Sequence, residues 1–465
     1  MERKLDAKLI CSIFAAGLMS FSGVLIETAG NVTFPVLMKD FNVNMATVQW
    51  MTTGYLLIAS IVMPLSAYLK NNFSSRKLFV TAAILFILGL LIDSTANNFT
   101  LLVLGRVVQG AGAGIAIPLM FNIILERSPL DKIGLLMGIG TMITAVAPAL
   151  GPTFGGAVVN QLGWRYIFIF MIPVMAISLI LGLTSISKAS YRINRSKLDI
   201  IGFISVAVTF VGFILAFSNL STIGKEPFFF VIPFVIGIIA LIIFIKHSLS
   251  VEKPLINIRV FKKSKFSYGI CAYFIFQINT LGLSFILPNY VQIVNHATAM
   301  TAGLLLLTGG LIGAIASPIG GRLLDNYGAQ KPIMSGAILE IIGAILFCFF
   351  ASALIASKII LFYAITMLGI GLIMGDTMTA SLNELDQSQN KDGNGLFNMA
   401  QQFAGAVGTA IVSAIMQVAQ QISTKATSVG KLIDGAQLGL LFLLVLVIIG
   451  VYLLYKATKI VKAKE

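Results

Sequence analysis

Charged side chains that interrupt long apolar stretches are the residues of this sequence best suited to chemistry. They are Glu27, Asp93, Arg106, Glu340 and Asp376, of which Asp93 lies near the end of its stretch and the others lie inside. Removal from water makes a carboxyl group hold its proton, whereas a nearby cation favours the ionised form. The four carboxyl groups therefore predict reversible proton binding.

The composition places these residues in a membrane. The chain has 465 residues, 57% of them hydrophobic and 11% charged, and its mean hydropathy is +0.95. Soluble globular proteins carry about 25% charged residues, so this chain does not fit a soluble, disordered, fibrous or disulfide-rich secreted protein. A charge inside a bilayer costs about 2.5–3.5 kcal/mol on insertion scales, which favours a functional reason for each one.

Fourteen apolar runs are long enough to cross a bilayer, since a helix needs about 20 residues to do so. The runs lack the alternation of membrane-spanning strands, which predicts an all-α polytopic membrane protein. The predicted spans cover residues 8–36, 47–69, 77–95, 100–124, 133–158, 164–185, 199–219, 228–247, 266–292, 300–321, 332–353, 358–381, 395–421 and 435–456.

Lys and Arg residues predict the orientation of these spans. With the N-terminus inside, 25 of the 32 Lys and Arg residues fall in inner segments and six in outer loops, as the positive-inside rule requires. We therefore expect a multi-pass protein of the cell membrane with both termini in the cytoplasm. The same bias explains the net charge of +14 without a nucleic-acid partner. We expect no removable signal peptide at the N-terminus.

The sequence offers no enzyme or metal chemistry. Its three cysteines, Cys11, Cys271 and Cys348, lie in apolar runs without metal or disulfide spacing, and its two histidines, His247 and His296, lie in predicted loops. Neither a nucleophile arrangement nor a GxxxxGK[ST] phosphate loop is present. We expect a non-enzyme without a metal or an organic cofactor, in which protons are the coupling ion.

Two inner loops are similar to each other and indicate an internal repeat. Residues 321–331 and 67–77 align without gaps, in equivalent places if spans 7 and 8 are an insertion between two six-helix bundles. Each copy predicts a tight turn at a helix end, with a side chain able to cap a helix. The predicted organisation is a first bundle over 1–185, two inserted helices over 186–265 and a second bundle over 266–465.

Several motifs along the chain can be compared with a known family. They are a Gly-x-Leu-x-Asp-x-x-Gly run at 321–328, an arginine motif at 102–112, a Gly- and Pro-containing motif at 147–156, and shorter patterns at 27–55 and 398–408. On these motifs the chain resembles the major facilitator superfamily, in particular its branch of fourteen-helix drug:proton antiporters. The first copy of the repeat departs from the signature, since Asn71 replaces its acid and Ser74 its glycine.

The resemblance implies a proton-coupled multidrug efflux transporter that works by alternating access and confers antibiotic resistance. Its expected partners are amphipathic, cationic or zwitterionic small molecules, protons and the lipid bilayer, and we expect it to function as a monomer. Two alternatives stay open. One is a dedicated exporter of an endogenous metabolite, lipid or peptide on the same scaffold, and the other is a membrane sensor or scaffold that transports nothing.

Glu27 is the first candidate for proton coupling, because span 1 lines the cavity in the resembled family and Asn31 lies one turn further on. Arg106 lies at a similar depth and is a candidate for tuning the pKa of a carboxyl group, a role that the resemblance implies. Glu340 and Asp376 are further candidates. The alternatives are a structural ion pair for Glu27, a tie between helices for Arg106, a buried hydrogen bond for Glu340 and solvation at the inner mouth for Asp376. For Asp93 we expect a cap at the outer interface, with proton coupling as the alternative.

Aromatic and amide side chains within the spans are candidates for binding an amphipathic substrate. Core packing or helix–helix contact is the alternative for each of them. These candidates are Asn31, Trp50, Tyr55, Asn122, Phe276, Gln277, Asn279, Gln401 and Gln402.

A third set of residues is expected to serve conformational change. Small residues at 147, 151 and 155 line one face of span 5 and allow close helix packing, and its two prolines bend the helix. Such a helix at the bundle interface suits alternating access, with pure packing as the alternative. The conformational candidates are Gly151, Pro152, Gly155, Gly156, Gly321, Asp325 and Gly328.

Overall fold

The described part of the chain is built of helices. A computed structural model describes residues 5–43, 45–48, 50–187, 198–220, 223–224, 226–252, 254–425 and 427–459. Helices are the only regular secondary structure in these ranges, which confirms the all-α prediction. Among the described residues, 13 helices are long and apolar enough to cross a membrane, and Trp50–Leu65 is a shorter apolar helix in the position of the second span.

Each predicted span has a helical counterpart, and these are labelled α1 to α14. They are α1 (Ala7–Val32), α2 (Trp50–Val62, Met63–Leu65 and Ser66–Asn72), α3 (Ser75–Ser94), α4 (Phe99–Arg127), α5 (Ile133–Gln161), α6 (Arg165–Ser185), α7 (Ile200–Ser218), α8 (Phe228–Ser250), α9 (Ser264–Ile293), α10 (Ala299–Tyr327), α11 (Gln330–Phe349), α12 (Ala356–Asn383), α13 (Asn390–Ile422) and α14 (Ser428–Thr458). The second span, α2, is interrupted by a 3-10 turn that contains Pro64.

Polar residues fix where several of these helices begin. Side-chain oxygens of Asp6, Ser74, Asn98 and Thr298 accept hydrogen bonds from backbone N–H groups in the first turns of α1, α3, α4 and α10. A cap of this kind satisfies an N–H group that has no partner within its helix. Ser74, which replaces the glycine of the repeat, therefore has a capping role of its own.

The helices pack as two groups that meet along a few helices. In the first group α1 packs on α4, α5 and α6, α2 packs on α4, and α3 packs on α4 and α6. In the second group α9 packs on α12, α13 and α14, and α12 packs on α10 and α11. Between the groups, α5 packs along α10, and α13 packs on α2 and α4, while α7 packs on α8, α2 and α13.

The turns predicted for the internal repeat lie at the ends of the two segments, and the rest of each segment is helical. Residues 321–327 form the last turns of α10, and residues 66–72 form the last piece of α2, so both segments are helical. The chain turns at Gly328, whose φ of 77° is a conformation that glycine adopts without strain. Residues 321–327 lie where α10 packs along α5, with Gly321 against the backbone of Gly134.

Asp199 connects the inserted helices α7 and α8 to the loop that follows them. Its carboxylate accepts hydrogen bonds from the N–H groups of Gly202 at 2.8 Å and Leu255 at 3.0 Å, and it lies 2.7 Å from Nε2 of His247. The prediction that His247 lies in a loop is wrong, because this residue belongs to the last turn of α8. Partial burial acts to raise the pKa of Asp199, but these hydrogen bonds outweigh it and lower the pKa.

Replacing Asp199 with Ala is expected to destabilise the protein by about 1–2 kcal/mol, because a helix cap and the bonds to the loop are lost. The pKa of Asp199 in the folded protein lies below the unfolded value of about 3.9. The stabilisation is therefore complete above that pH and is lost as the pH falls through the folded-state value. Thermal unfolding in detergent measures this, with Glu252→Gln, an exposed acid of the same loop, as the control. Equal unfolding temperatures for the two variants at pH 7 would contradict the role of Asp199.

Candidate functional site

Arg106 is the centre of a polar cluster inside the first group of helices, and its side chain is 0% exposed. Its Nε donates a hydrogen bond to the carbonyl oxygen of Met51 in α2 at 3.2 Å, and its Nη1 donates to Oε1 of Gln109 at 2.7 Å. The guanidinium carbon lies 4.3 Å from the ring centre of Tyr55, close enough for a cation–π interaction. Contacts from α2 and α4 therefore hold the arginine in place.

Gln109 links Arg106 to Asp93 of α3. Its Nε2 donates a hydrogen bond to Oδ2 of Asp93 at 2.6 Å, and the Asp93 side chain is completely buried. The expectation that Asp93 caps the outer interface is therefore wrong, because its carboxylate turns into the bundle. The signal in the sequence was the spacing of Arg106 and Gln109, which are one turn apart on α4.

Glu27 lies on α1 beside this cluster and is half-buried. Its carboxylate interacts electrostatically with Arg106 and with Tyr55. Helix α1 comes close to α2 here, because a Cβ atom added at Gly23, one turn before Glu27, would lie 2.8 Å from Oη of Tyr55. The side chain of Asn31, one turn after Glu27, lies outside the described part of the structure.

Two glycines make room for the link between Asp93 and Gln109. A Cβ atom at Gly105 would collide with Oδ1 of Asp93, and one at Gly89 would collide with Cγ of Gln109. A larger residue at either position would displace one of the two side chains. Close packing of α3 on α4 therefore places the pair next to Arg106.

The small-residue face of α5 packs against α1. A Cβ atom at Gly151 would collide with the side chain of Thr28, and one at Gly155 would lie 2.7 Å from a backbone oxygen of α1. Helix α5 also packs along α10, as expected of a helix at the bundle interface, but it does so through another face, with Pro152 beside Gly303 of α10. Gly156 is half-buried.

Asp325 of α10 joins the two groups of helices. Its carboxylate accepts hydrogen bonds from the N–H groups of Gly134 and Leu135, each at 3.1 Å. These groups belong to the first turn of α5, where free N–H groups and the helix dipole favour a carboxylate. A Cβ atom at Gly321 would collide with the carbonyl oxygen of Gly134, so the two helices touch backbone to backbone at their predicted inner ends. Gly328 then ends α10.

Asn122, a candidate for substrate binding, makes a second contact between the two groups. Nδ2 of Asn394 in α13 donates hydrogen bonds to Oδ1 of Asn122 at 2.8 Å and to the carbonyl oxygen of Pro118 at 3.2 Å. Nδ2 of Asn398 donates to Oδ1 of Asn394 at 2.8 Å. These amides are buried, and each one that is paired avoids the cost of desolvation. Asn122 is therefore a tie between α4 and α13 in this structure.

The two acids of the second group, Glu340 and Asp376, are buried and do not bond to Arg106. Asn279 of α9, another substrate candidate, donates a hydrogen bond to Oε1 of Glu340. The side chain of Asp376 is buried, which does not fit the alternative of solvation at the inner mouth. A Cβ atom at Gly320 would lie 2.9 Å from Oδ2 of Asp376, which places this carboxylate against α10.

The remaining substrate candidates have different environments. Trp50 is 43% exposed at the start of α2, whereas Phe276 is completely buried and contacts Gly450 of α14, as expected of a core residue. The side chains of three further candidates are half-buried: Gln277, Gln401 and Gln402. Burial alone does not separate substrate contact from helix packing for these three.

Comparisons with known proteins agree with this architecture. Residues 11–409 match the model of the Major Facilitator Superfamily. The chain is 34% identical over 452 residues to the lincomycin resistance protein LmrB of Bacillus subtilis, which covers 95% of this chain and 94% of the relative. It is 28% identical over 415 residues to the multidrug export protein EmrB of Haemophilus influenzae, covering 87% and 80%. The human organic anion transporter TETRAN has a similar fold, with a TM-score of 0.69, 13% identity, and coverage of 97% of this chain and 100% of that one.

Replacing Asp325 with Ala is expected to separate the inner ends of α5 and α10. The change removes two hydrogen bonds at the start of α5, each worth about 1 kcal/mol, together with the favourable charge at that helix end. The distance between spin labels at Asp131 and Lys331, in a chain whose native cysteines have been replaced, should increase. Asn326→Ala, at the adjacent exposed position, is the control. An unchanged distance distribution in the Asp325 variant would exclude this role.

Proposed function

The chain belongs to the major facilitator superfamily, and on this premise we propose that it is a proton-coupled multidrug efflux transporter. It exports amphipathic, cationic or zwitterionic compounds across the cell membrane by alternating access, with both termini in the cytoplasm and the monomer as the functional unit. Relatives that are named for resistance to lincomycin, 34% identical over most of the chain, support the export of drugs.

The observation that carries this proposal is the half-buried carboxylate of Glu27 beside the buried guanidinium of Arg106. A carboxylate in this position can bind either a proton or a cationic drug. The positive charge of Arg106 stabilises the ionised form and so allows the proton to leave. Protonation of Glu27 from the outside then releases the drug outward, and loss of the proton inside prepares the next cycle.

Helix α5 is the element that can transmit this change to the inner side. Its small residues Gly151 and Gly155 lie against Thr28 and Ala29 of α1, the two residues that follow Glu27. The N–H groups of its first turn donate hydrogen bonds to Asp325 of α10. A shift of α1 when Glu27 changes its charge therefore acts on the helix that closes the predicted inner end. In this proposal the contacts of Asp325 and of Asn122 break when the transporter opens to the cytoplasm.

Replacing Glu27 with Gln should abolish drug-dependent proton movement, because the amide cannot take up or release a proton in this range of pH. The measurement uses liposomes that contain the protein and a pH-sensitive dye. Glu226→Gln changes an exposed acid of an outer loop and should leave the flux unchanged. Coupled efflux that persists in the Glu27 variant, with expression and folding intact, would refute the assignment.

A panel of compounds in the same liposomes distinguishes the proposed function from its alternatives. Lincomycin is the first compound to test, followed by several dissimilar cationic drugs. Proton movement with several of them supports multidrug export, whereas a response to one tightly bound compound favours a dedicated exporter. Folded protein that moves no proton with any drug or metabolite favours a membrane sensor or scaffold.

Glu340 and Asp376 are proposed as additional proton-binding residues of the second group of helices. We expect Glu340→Gln and Asp376→Asn each to reduce the number of protons moved per drug molecule, because each change removes one titratable group from a buried position. Parallel measurements of drug and proton flux give this ratio. An unchanged ratio combined with a lower unfolding temperature would assign the residue to structure alone, as a buried hydrogen bond would.

A further inference from the structure

Asp93 is a buried acid that the proposed exchange of protons and drug at Glu27 does not use. We propose that Asp93 is the permanent counter-ion of Arg106, a positioning residue that keeps the arginine compensated while Glu27 carries the proton. This inference rests on the proposed function of Glu27, but it assigns a different role to a different residue.

Charge balance is the first reason. In the described structure, the titratable groups that interact electrostatically with Arg106 are Asp93 on α3, Tyr55 on α2 and Glu27 on α1, and the charged group that interacts with Asp93 is Arg106. Helix α5 carries no charged residue, and those of α13, which also packs on α4, lie in its first turn. Arg165 at the start of α6 donates to the carbonyl oxygen of Ala96 at 2.7 Å and is not an electrostatic partner of Asp93 or Arg106. Once Glu27 is protonated, Asp93 is therefore the remaining anion of this group. A buried cation without an anion is strongly unfavourable.

The orientation of Gln109 is the second reason. Arg106 can only donate hydrogen bonds, so the atom of Gln109 that faces it must be the amide oxygen. The NH2 group of Gln109 then faces Asp93 and donates to it. Arg106 thus donates to Gln109, and Gln109 donates to Asp93. This direction of the hydrogen bonds is the one expected when the first group is a cation and the last is an ionised carboxylate.

Unused hydrogen-bonding capacity is the third reason. Among the described residues, Nη2 of Arg106 and Oδ1 of Asp93 have no hydrogen-bond partner. Nη2 is thus available to Glu27 when that carboxylate becomes ionised, while Nη1 stays on Gln109. Arg106 can therefore serve two carboxylates, one permanent and one that changes its charge with each cycle.

Steric constraint distinguishes Asp93 from a mobile proton carrier. Its Oδ1 lies against Gly105, where any Cβ atom would collide with it, and Gln109 is confined in the same way by Gly89. A counter-ion must stay in place, and this packing keeps the Asp93 carboxylate in place. Glu27, by contrast, is only half-buried, as a group that exchanges protons with water must be.

The test is a titration of the purified protein in detergent, followed by infrared difference spectroscopy without any drug. The C=O band of protonated Glu27 is identified as the band that Glu27→Gln removes. In Asp93→Asn, Glu27 becomes the sole anion next to Arg106 and stays ionised to lower pH. The midpoint of the Glu27 band should fall by about one pH unit or more, which is a loss of proton affinity of about tenfold or more.

A second variant supplies the rescue, since Gln109→Glu added to Asp93→Asn returns one negative charge to the neighbourhood of Arg106. The midpoint should return towards that of the unaltered protein. The control is Asp40→Asn, which changes an acid of the same half that accepts a hydrogen bond from Nε1 of Trp164 at 2.9 Å and does not bond to Arg106. It should leave the midpoint unchanged.

Three outcomes would overturn the proposal: an unchanged midpoint in Asp93→Asn, a midpoint shifted to higher pH, or a Glu27 band that never appears between pH 4 and 10. If Asp93→Asn does not fold, Gln109→Leu breaks the same link and should shift the midpoint in the same direction. Drug-dependent proton flux in Glu27→Gln judges the proposed function separately, because the titration needs no transported compound.

Discussion

The positive charge of Arg106 inside an apolar bundle is the constraint on which the rest of the first six helices depends. A guanidinium that is removed from water must find acceptors and negative charge within reach. The chain supplies a carbonyl oxygen of α2, the ring of Tyr55, the amide of Gln109 and the carboxylates of Asp93 and Glu27. Four helices therefore have to meet at one place, and the glycines of α3 and α4 allow them to do so.

The two copies of the internal repeat have diverged in what they do. In the second copy, Asp325 binds the first turn of α5 and Gly328 ends its helix. In the first copy, Asn71 and Ser74 occupy the corresponding positions, and Ser74 caps the start of α3 within its own group of helices. The contact between α5 and α10 thus depends on a carboxylate, whereas the contact between α4 and α13 depends on neutral amides. The two groups of helices are therefore joined by two contacts of different chemistry, one through a carboxylate and one between neutral amides.

Each group of helices contains a buried carboxylate paired with a carboxamide, although the two pairs differ in charge. Asp93 pairs with Gln109, and Glu340 pairs with Asn279. Arg106 stands next to the first pair, while Glu340 has no cation among its described hydrogen-bond and electrostatic partners. A carboxylate beside a cation is stabilised in its ionised form, and one without a cation is stabilised in its neutral form. The two pairs therefore differ in whether a cation lies beside the carboxyl group.

The sequence by itself determined the class of the protein, its helices and the short list of charged residues within them. Hydropathy is a local property, so the ends of the spans could be located to within seven residues. The low number of charges within the spans made Glu27, Arg106, Glu340 and Asp376 conspicuous. Errors arose where a local pattern was ambiguous. The repeated pattern at 321–331 predicts a turn, but the chain turns only at Gly328. The position of Asp93 near the end of its span predicts an outer cap, but its side chain is buried.

The tertiary structure alone decided which of these residues meet. The link from Arg106 through Gln109 to Asp93, the tie from Asn122 to Asn394 and the seat of Asp325 on α5 all join different helices. The sequence could indicate that α5 has a small face, but not that this face lies on α1 rather than on the second bundle. Such contacts depend on how each helix is rotated about its axis and which helix lies beside it, and neither quantity is encoded in the spacing of residues along one helix.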